Sequence, residues 1–252
     1  MKTSHQKTAL CLLLVAAFVV SAGCPGKSSP TEPAGPAPVT LSLSLETAHF
    51  LLQYSEPDAD KMDTYAAALE DNHRRITRDL DQTGLPRITG RFYPDDASYF
   101  AATGWPSGGS VQGLTIFSVV ASPLQPSIPV HEFAHNVALH LDSTCDNNPT
   151  WLWEATAVWE AEEFVDPASV SCLASGNFPT LSDLNQRGGD CDIYRVGYTI
   201  VELLVETWGK ADYRALIVSH GDTESVLGLS TEEFEAAWQA FVEERYLSGS
   251  TG

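Results

Sequence analysis

Positive charge is scarce in this chain. Its 252 residues include 14 lysines and arginines against 33 aspartates and glutamates, which gives a formal net charge of −19 at pH 7. Proteins that bind nucleic acid or anionic lipid surfaces need a basic face, and this composition disfavours both functions. We therefore expect no nucleic-acid partner.

Long hydrophobic runs are also missing. One strongly apolar segment, Ala9–Val20, follows the basic residues Lys2 and Lys7. It is too short for an ordinary transmembrane helix. It leads into small residues before Cys24, and this order resembles a bacterial lipoprotein signal. The resemblance implies a signal peptide over residues 1–23, a lipid anchor on Cys24 as the only membrane attachment, and export to the cell envelope. An ordinary signal peptide with an incidental cysteine is the alternative.

The rest of the chain divides by composition into a spacer and a domain. Residues 24–40 are rich in proline, glycine, serine and threonine, which cannot bury enough apolar surface to fold. The hydrophobic fraction of 43% and the aromatic fraction of 10% are typical of a globular protein. We expect a disordered spacer over residues 24–40 and one folded domain over residues 41–248.

Strand patterns precede helix patterns in this domain. Apolar and β-branched residues predict strands over 41–45, 49–54, 87–93 and 111–120. Helical periodicity predicts helices over 58–80, 95–102, 128–141, 151–164, 194–208, 211–219 and 231–247. Ser127 and Thr150 are the expected N-terminal caps of the two central helices. The order predicts an α+β fold, with a small mixed N-terminal sheet followed by a helical half.

Cysteine is uncommon, with five residues in the whole chain. Cys11 belongs to the signal segment and Cys24 to the anchor, so Cys145, Cys172 and Cys191 remain for the domain. Outside the cytoplasm two of these can form a disulfide, which leaves one thiol unpaired. The sequence leaves all three pairings open.

The segment His131-Glu-Phe-Ala-His135 is the strongest chemical signal. Positions four apart lie on one helix face, so both imidazoles can reach one ion. Catalytic Zn²⁺ sites use such nitrogens, take three protein ligands and keep one position open. Glu132, beside the first histidine, can accept a proton from a water molecule. A core helix with two incidental histidines is the alternative interpretation.

A third ligand must come from a second element. Glu154 lies on the next predicted helix, with eighteen residues between it and His135, and its neighbours are apolar. The polar loop over residues 142–149 can turn the chain so that the two helices face each other. An ordinary surface acid is the alternative for Glu154. Glu160, Glu162 and Glu163 are weaker candidates for the third ligand, because they are expected on the exposed face of this helix.

The two helices together resemble those of gluzincin zinc metallopeptidases. The likeness is closest to peptidase MA-like domains and more distant to aminopeptidase N-type enzymes. The family's second helix reads roughly Trp-Leu-x-Glu-Gly-x-Ala, and here the segment is Trp151-Leu-Trp-Glu-Ala-Thr-Ala157. The resemblance implies a zincin-like fold, Zn²⁺ held by His131, His135 and Glu154, and Glu132 as the general base of peptide hydrolysis.

A further stretch, Tyr194-Arg-Val-Gly197, resembles the family's Tyr-x-x-Gly sequence. It implies that Tyr194 donates a hydrogen bond to the oxyanion, with Tyr198 in reserve, whereas a packed helix tyrosine is the alternative. The family's aminopeptidases bind a free amine with a Gly-x-Met-Glu-Asn strand, and strand 111–120 contains no acid. We therefore expect an endopeptidase whose peptide or protein substrate pairs with that strand.

The metzincin pattern is absent, because Ala138 and Leu141 stand where that class has glycine and histidine. Two other functions use the same residues. One is a non-catalytic, zinc-containing surface lipoprotein that acts as a binding module, and the other is a zinc hydrolase of non-peptide bonds. Glu132 disfavours the first of these, because a purely structural metal site does not need a base.

Overall fold

The computed structural model describes residues 39–106 and 108–248. The predicted signal peptide, the Cys24 anchor and nearly all of the spacer lie outside these residues and stay predictions. None of the described helices is both long enough and apolar enough to cross a membrane.

The N-terminal part forms a mixed five-stranded sheet with the strand order β1-β2-β3-β5-β4. The strands are β1 (Leu43–Glu46), β2 (Phe50–Tyr54), β3 (Ile88–Tyr93), β4 (Gly109–Gln112) and β5 (Thr115–Val119). The central pairs β2–β3 and β3–β5 are parallel, while β1 and β4 are antiparallel edge strands. Buried residues of the central strands, such as Phe50, Phe92 and Ile116, face the core.

Nine α-helices lie within the described residues. They are α1 (Met62–Asp79), α2 (Asp96–Thr103), α3 (Ser127–Leu141), α4 (Thr150–Glu160), α5 (Ser171–Ala174), α6 (Ile193–Thr207), α7 (Lys210–Val218), α8 (Thr223–Leu227) and α9 (Thr231–Val242). Sheet and helices give the α+β architecture that the sequence predicts, with α3 to α9 forming the helical half. The short helices α5 and α8 were not predicted, because segments of four or five residues carry too little periodicity to be recognised.

The predicted single strand over residues 111–120 is wrong. The chain forms a hairpin instead, with Val111 paired to Ile116 and Gln112 paired to Thr115. Gly113 makes the turn possible, because its φ of 53° lies in the left-handed region that glycine adopts readily. Strand β4 consequently becomes the edge of the sheet.

Helix α3 is buried over most of its length, and its apolar residues pack in the main core. The contacts include an edge-to-face pair between Phe133 and Phe50, with ring centroids 5.1 Å apart. Ser127 and Thr150 are not the caps that the sequence predicts, since the N-caps of α3 and α4 are Pro126 and Pro149.

The later helices are joined to α4 by close packing. Helix α4 ends at Glu160 rather than at residue 164, because Glu162 adopts a left-handed φ of 55° and turns the chain. Helix α6 approaches α4 at Gly197, where an added Cβ would lie 3.0 Å from the Cα of Ala155.

Among the three cysteine pairings, the structure has the Cys172–Cys191 disulfide, and Cys145 is a buried free thiol.

Candidate metal centre

Helices α3 and α4 bring His131, His135 and Glu154 into one buried group. The Nε2 atom of His131 lies 3.2 Å from Oε2 of Glu154, and Nε2 of His135 lies 3.5 Å from the same oxygen. The potential ligand atoms all lie within 4.8 Å of one another. The three side chains predicted from sequence therefore converge on one point, and the group can hold a metal ion.

The spacing of these atoms matches a tetrahedral site. Zinc–nitrogen and zinc–oxygen bonds of about 2.1 Å place neighbouring tetrahedral ligands roughly 3.4 Å apart. The two measured separations to the Glu154 oxygen, 3.2 and 3.5 Å, lie on either side of this value. Two imidazole nitrogens and one carboxylate oxygen are also donors that divalent transition metals accept. The donor types and these two separations are thus compatible with such an ion.

Glu163 fixes the orientation of His131. Its Oε2 atom lies 3.0 Å from Nδ1 of His131, on the side of the ring opposite Glu154. A carboxylate at this position favours a proton on Nδ1, so Nε2 becomes available as a ligand once a cation displaces the proton that Nε2 donates to Glu154. The sequence prediction of an exposed Glu163 is therefore wrong, because the turn at Glu162 directs Glu163 back onto His131.

Glu160 also departs from its prediction. It is fully buried, and the Nη1 atom of Arg75 lies 3.2 Å from its carboxylate. Burial raises the pKa of Glu160 to about 8. Glu162, by contrast, lies on the exposed face as predicted, with 65% of its side chain accessible.

His135 is held by stacking rather than by a carboxylate. Its ring lies 4.0 Å from the ring of Trp153, and the two planes are inclined by 13°. Its Nδ1 atom is buried without a hydrogen-bond partner among the described residues. The two histidines are thus positioned by different means, one by charge and one by an aromatic surface.

Charges within the ligand group are mutually stabilised. Burial alone would raise the pKa of Glu154, but hydrogen bonds from His131 and His135 hold it well below its usual range. Burial alone would lower the pKa of His131, but the carboxylates of Glu154 and Glu163 raise it. For His135 burial dominates, and its pKa is lowered. The group therefore presents a carboxylate to an incoming cation.

Glu132 lies beside this group and against the first residue of β4. A Cβ added at Gly109 would lie 2.5 Å from Cγ and 2.6 Å from Oε1 of Glu132. Burial is the main cause that raises the pKa of Glu132 to about 7; the charge of His131 opposes this shift, and the charge of Glu154 adds to it. A carboxylate with such a pKa can both accept and return a proton near neutral pH.

Tyr194 reaches the same region from the first turn of α6. Its ring centroid lies 6.0 Å from that of His131, and 37% of the residue is exposed. Burial, followed by the charge of Glu154, raises the pKa of its phenol, which therefore keeps its proton as a donor. Tyr198 lies elsewhere, with its ring 4.7 Å from Trp159 and 5.1 Å from Phe164.

The three potential ligands open into a cleft of about 880 Å³ between β4 and helices α3, α4 and α6, and Glu132, Glu163 and Tyr194 line it as well. Arg187 lies in the cleft, and its Nη2 atom is 2.5 Å from Oε1 of Glu154. Arg187 was not among the predicted site residues, because it occupies an irregular segment with no periodicity and no motif.

Comparison of the sequence with protein-family models and with curated proteins found no match. Two histidines and a glutamate form a buried group that can hold a metal, with a carboxylate, a phenol and a guanidinium beside it.

Proposed function

We propose that the protein is a zinc-dependent metallopeptidase of the gluzincin type with a zincin-like fold. The observation that carries this proposal is the joint arrangement of the His131, His135 and Glu154 group with Glu132 at the same cleft. A metal site that served only to stabilise the fold would need neither a free coordination position facing a cleft nor a carboxylate such as Glu132 beside it.

Zinc is the metal that these donors suit best. Two imidazole nitrogens and one carboxylate oxygen form a common catalytic zinc set, in which a fourth position stays free for water or substrate. Zn²⁺ held there would supply Lewis acidity toward a water molecule and a carbonyl oxygen. The cleft gives that position access to solvent.

Glu132 acts as the proton carrier in this proposal. It takes the proton from the attacking water and passes it to the amine that leaves. Its carboxylate lines the cleft beside the ligand group, where both transfers would take place. Tyr194 donates its phenolic hydrogen to the oxygen that becomes negative as the carbonyl is attacked.

Strand β4 provides the surface for an extended substrate. It pairs with β5 alone in the sheet, and residues 109–113 line the cleft. A peptide added at this edge would form main-chain hydrogen bonds with β4 and lie beside Glu132. The arrangement favours cleavage within a chain, as expected of an endopeptidase.

The test is hydrolysis of a quenched fluorescent peptide library by the zinc-loaded full chain. Glu132→Gln should keep zinc yet lose at least about 10²-fold in rate, because it removes the proton acceptor. Glu162→Gln replaces an exposed acid and is the matched control. Zinc binding without cleavage of any peptide, or undiminished cleavage by the Glu132 variant, would reject the peptidase proposal.

A further inference from the structure

Arg187 occupies a defined position at the mouth of the metal cleft. It follows the single helical turn Asp183–Asn185 and precedes Gly188 and Gly189, whose φ angles of 96° and 99° suit glycine. The Cys172–Cys191 disulfide ties the end of this segment to α5. This segment places Arg187 at the rim of the cleft, where about half of its side chain is exposed.

The contact of Arg187 with Glu154 leaves most of its guanidinium free. One Nη2–H group bonds Oε1 of Glu154, whereas Oε2 of that carboxylate faces the histidines. Glu154 is the only hydrogen-bond partner of Arg187 among the described residues, and 51% of the arginine side chain is exposed. A guanidinium has five N–H donors in a planar fork, so a second carboxylate can bind beside the first.

Arg187 is also the only lysine or arginine among the described residues that line the cleft. The other charged lining groups are four acids and two histidines, namely Glu132, Asp146, Glu154, Glu163, His131 and His135. A divalent cation at the ligand group would offset the charges of Glu154 and Glu163. With the metal bound, Arg187 is then the one fixed cationic side chain that a negative group of the substrate can meet.

We propose that Arg187 determines specificity by binding a carboxylate of the substrate next to the cleaved bond. This inference deepens the peptidase function proposed above and rests on it. Arg187 bonds a metal-ligand carboxylate directly, and consecutive residues of a peptide are about 3.8 Å apart. A carboxylate held by Arg187 therefore belongs to a residue near the carbonyl that is attacked. An acidic side chain is the source that agrees with cleavage within a chain. A C-terminal carboxylate is the other source, and it would instead indicate removal of residues from the C-terminus.

The test measures binding by the zinc-loaded full chain carrying Glu132→Gln, so that turnover does not interfere. The probes are dansyl-Gly-Phe-Ala with a free C-terminus and the corresponding C-terminal amide. Their binding is measured by energy transfer from tryptophan to dansyl. A second pair, the amides of dansyl-Gly-Phe-Glu and dansyl-Gly-Phe-Gln, tests an acidic side chain as the source of the carboxylate. Zinc content is measured in every variant, because Arg187 also contacts Glu154.

We expect the acid of at least one pair to bind about tenfold or more tightly than its neutral partner, since charge-assisted hydrogen bonds to arginine are strong. Arg187→Gln should abolish this preference at equal zinc content, and Arg187→Lys should restore part of it. Arg195→Gln is the matched control, because Arg195 bonds the backbone of Asp190 and is not a cleft residue. It should keep the full preference.

Two outcomes overturn the inference. One is that the chain carrying only Glu132→Gln binds the acid and neutral probes equally or binds neither detectably. The other is a preference for the acid that survives Arg187→Gln. Hydrolysis by the chain with Glu132 intact separates this result from the peptidase proposal. Cleavage without acid preference rejects the role of Arg187 alone, whereas an Arg187-dependent preference without any cleavage rejects the peptidase function alone.

Discussion

Glu132 owes its position to a glycine on the neighbouring strand. A methyl group at Gly109 would overlap the Glu132 side chain, at 2.5 Å from Cγ. We expect Gly109→Ala to lower peptide hydrolysis by about 10²-fold, because a displacement of roughly 1 Å in a catalytic group has effects of this size. The metal content should not change, since the three ligands are untouched. Steady-state kinetics and zinc analysis on the same preparation measure both quantities.

Gly84→Ala is the control for this substitution. No atom lies within 4 Å of a Cβ added at Gly84, so that variant should keep full activity. If Gly109→Ala were as active as the parent, Glu132 could not be the base in the position that the structure gives it.

Glu163 is the residue whose role the structure changes most. Its carboxylate lies 3.0 Å from Nδ1 of His131, and such outer partners tune metal affinity. We expect Glu163→Gln to weaken zinc binding by about 10- to 100-fold, as measured by competition with a chelator of known affinity. Glu162→Gln removes the adjacent exposed acid and should leave the affinity unchanged. Equal affinities in the two variants would contradict a positioning role for Glu163.

At the scale of elements, the site depends on how closely α6 approaches α4. Gly197 allows this approach, because a side chain there would press on the backbone of Ala155 at 3.0 Å. The same helix carries Tyr194, one turn earlier, into the cleft. The Gly197 contact is therefore part of what places the phenol near His131.

We expect Gly197→Val to reduce the free energy of unfolding by about 1–3 kcal/mol, which is typical of overpacking in a core. Urea unfolding followed by circular dichroism measures the change. Gly84→Val adds the same atoms where nothing lies within 4 Å of the Cβ and should be far milder. Equal free energies of unfolding for the parent and the Gly197 variant would mean that the close contact between α4 and α6 does not restrict the side chain at this position.

The elements that the sequence predicts well are those with a strong internal period. The spacing of His131, His135 and Glu154 follows from helical geometry, so their convergence was predictable once two facing helices were assumed. Gly113 was harder to interpret, because apolar β-branched residues on both sides hide the turn between β4 and β5. The contacts of Gly109, Glu163 and Arg187 arise from tertiary packing, and no local pattern encodes them.

At the scale of the whole molecule, the stability of the domain should depend on pH through His73. The buried ring of His73 stacks on His49, with ring centroids 3.7 Å apart, and also on Phe133. Nδ1 of His49 in turn lies 2.6 Å from Oε2 of Glu70. Burial lowers the pKa of His73, and the charge of His49 lowers it further, although Glu70 opposes the shift. The unfolded chain, with a histidine pKa of about 6.5, then binds more protons as the medium becomes acidic.

The stability that neutral His73 contributes is therefore present above about pH 6.5 and is lost as the pH falls below it. We expect His73→Phe to retain the stacking and to show a smaller loss of unfolding free energy between pH 7.5 and pH 5 than the parent. Urea titrations at the two pH values measure this difference. His140→Gln, at an exposed histidine, should behave as the parent does. An identical pH dependence in the His73 variant would contradict the assignment.

The most direct measurement is the zinc content of the full chain after dialysis against zinc, beside His131→Ala and Glu154→Ala. These two proposed ligands lie on different helices, and Nε2 of His131 is 3.2 Å from Oε2 of Glu154. The geometry predicts about one zinc per parent chain and a loss of that zinc in both variants, because the site needs three protein ligands. A parent chain without zinc, or zinc retained after the loss of Glu154, would contradict a metal centre shared by α3 and α4.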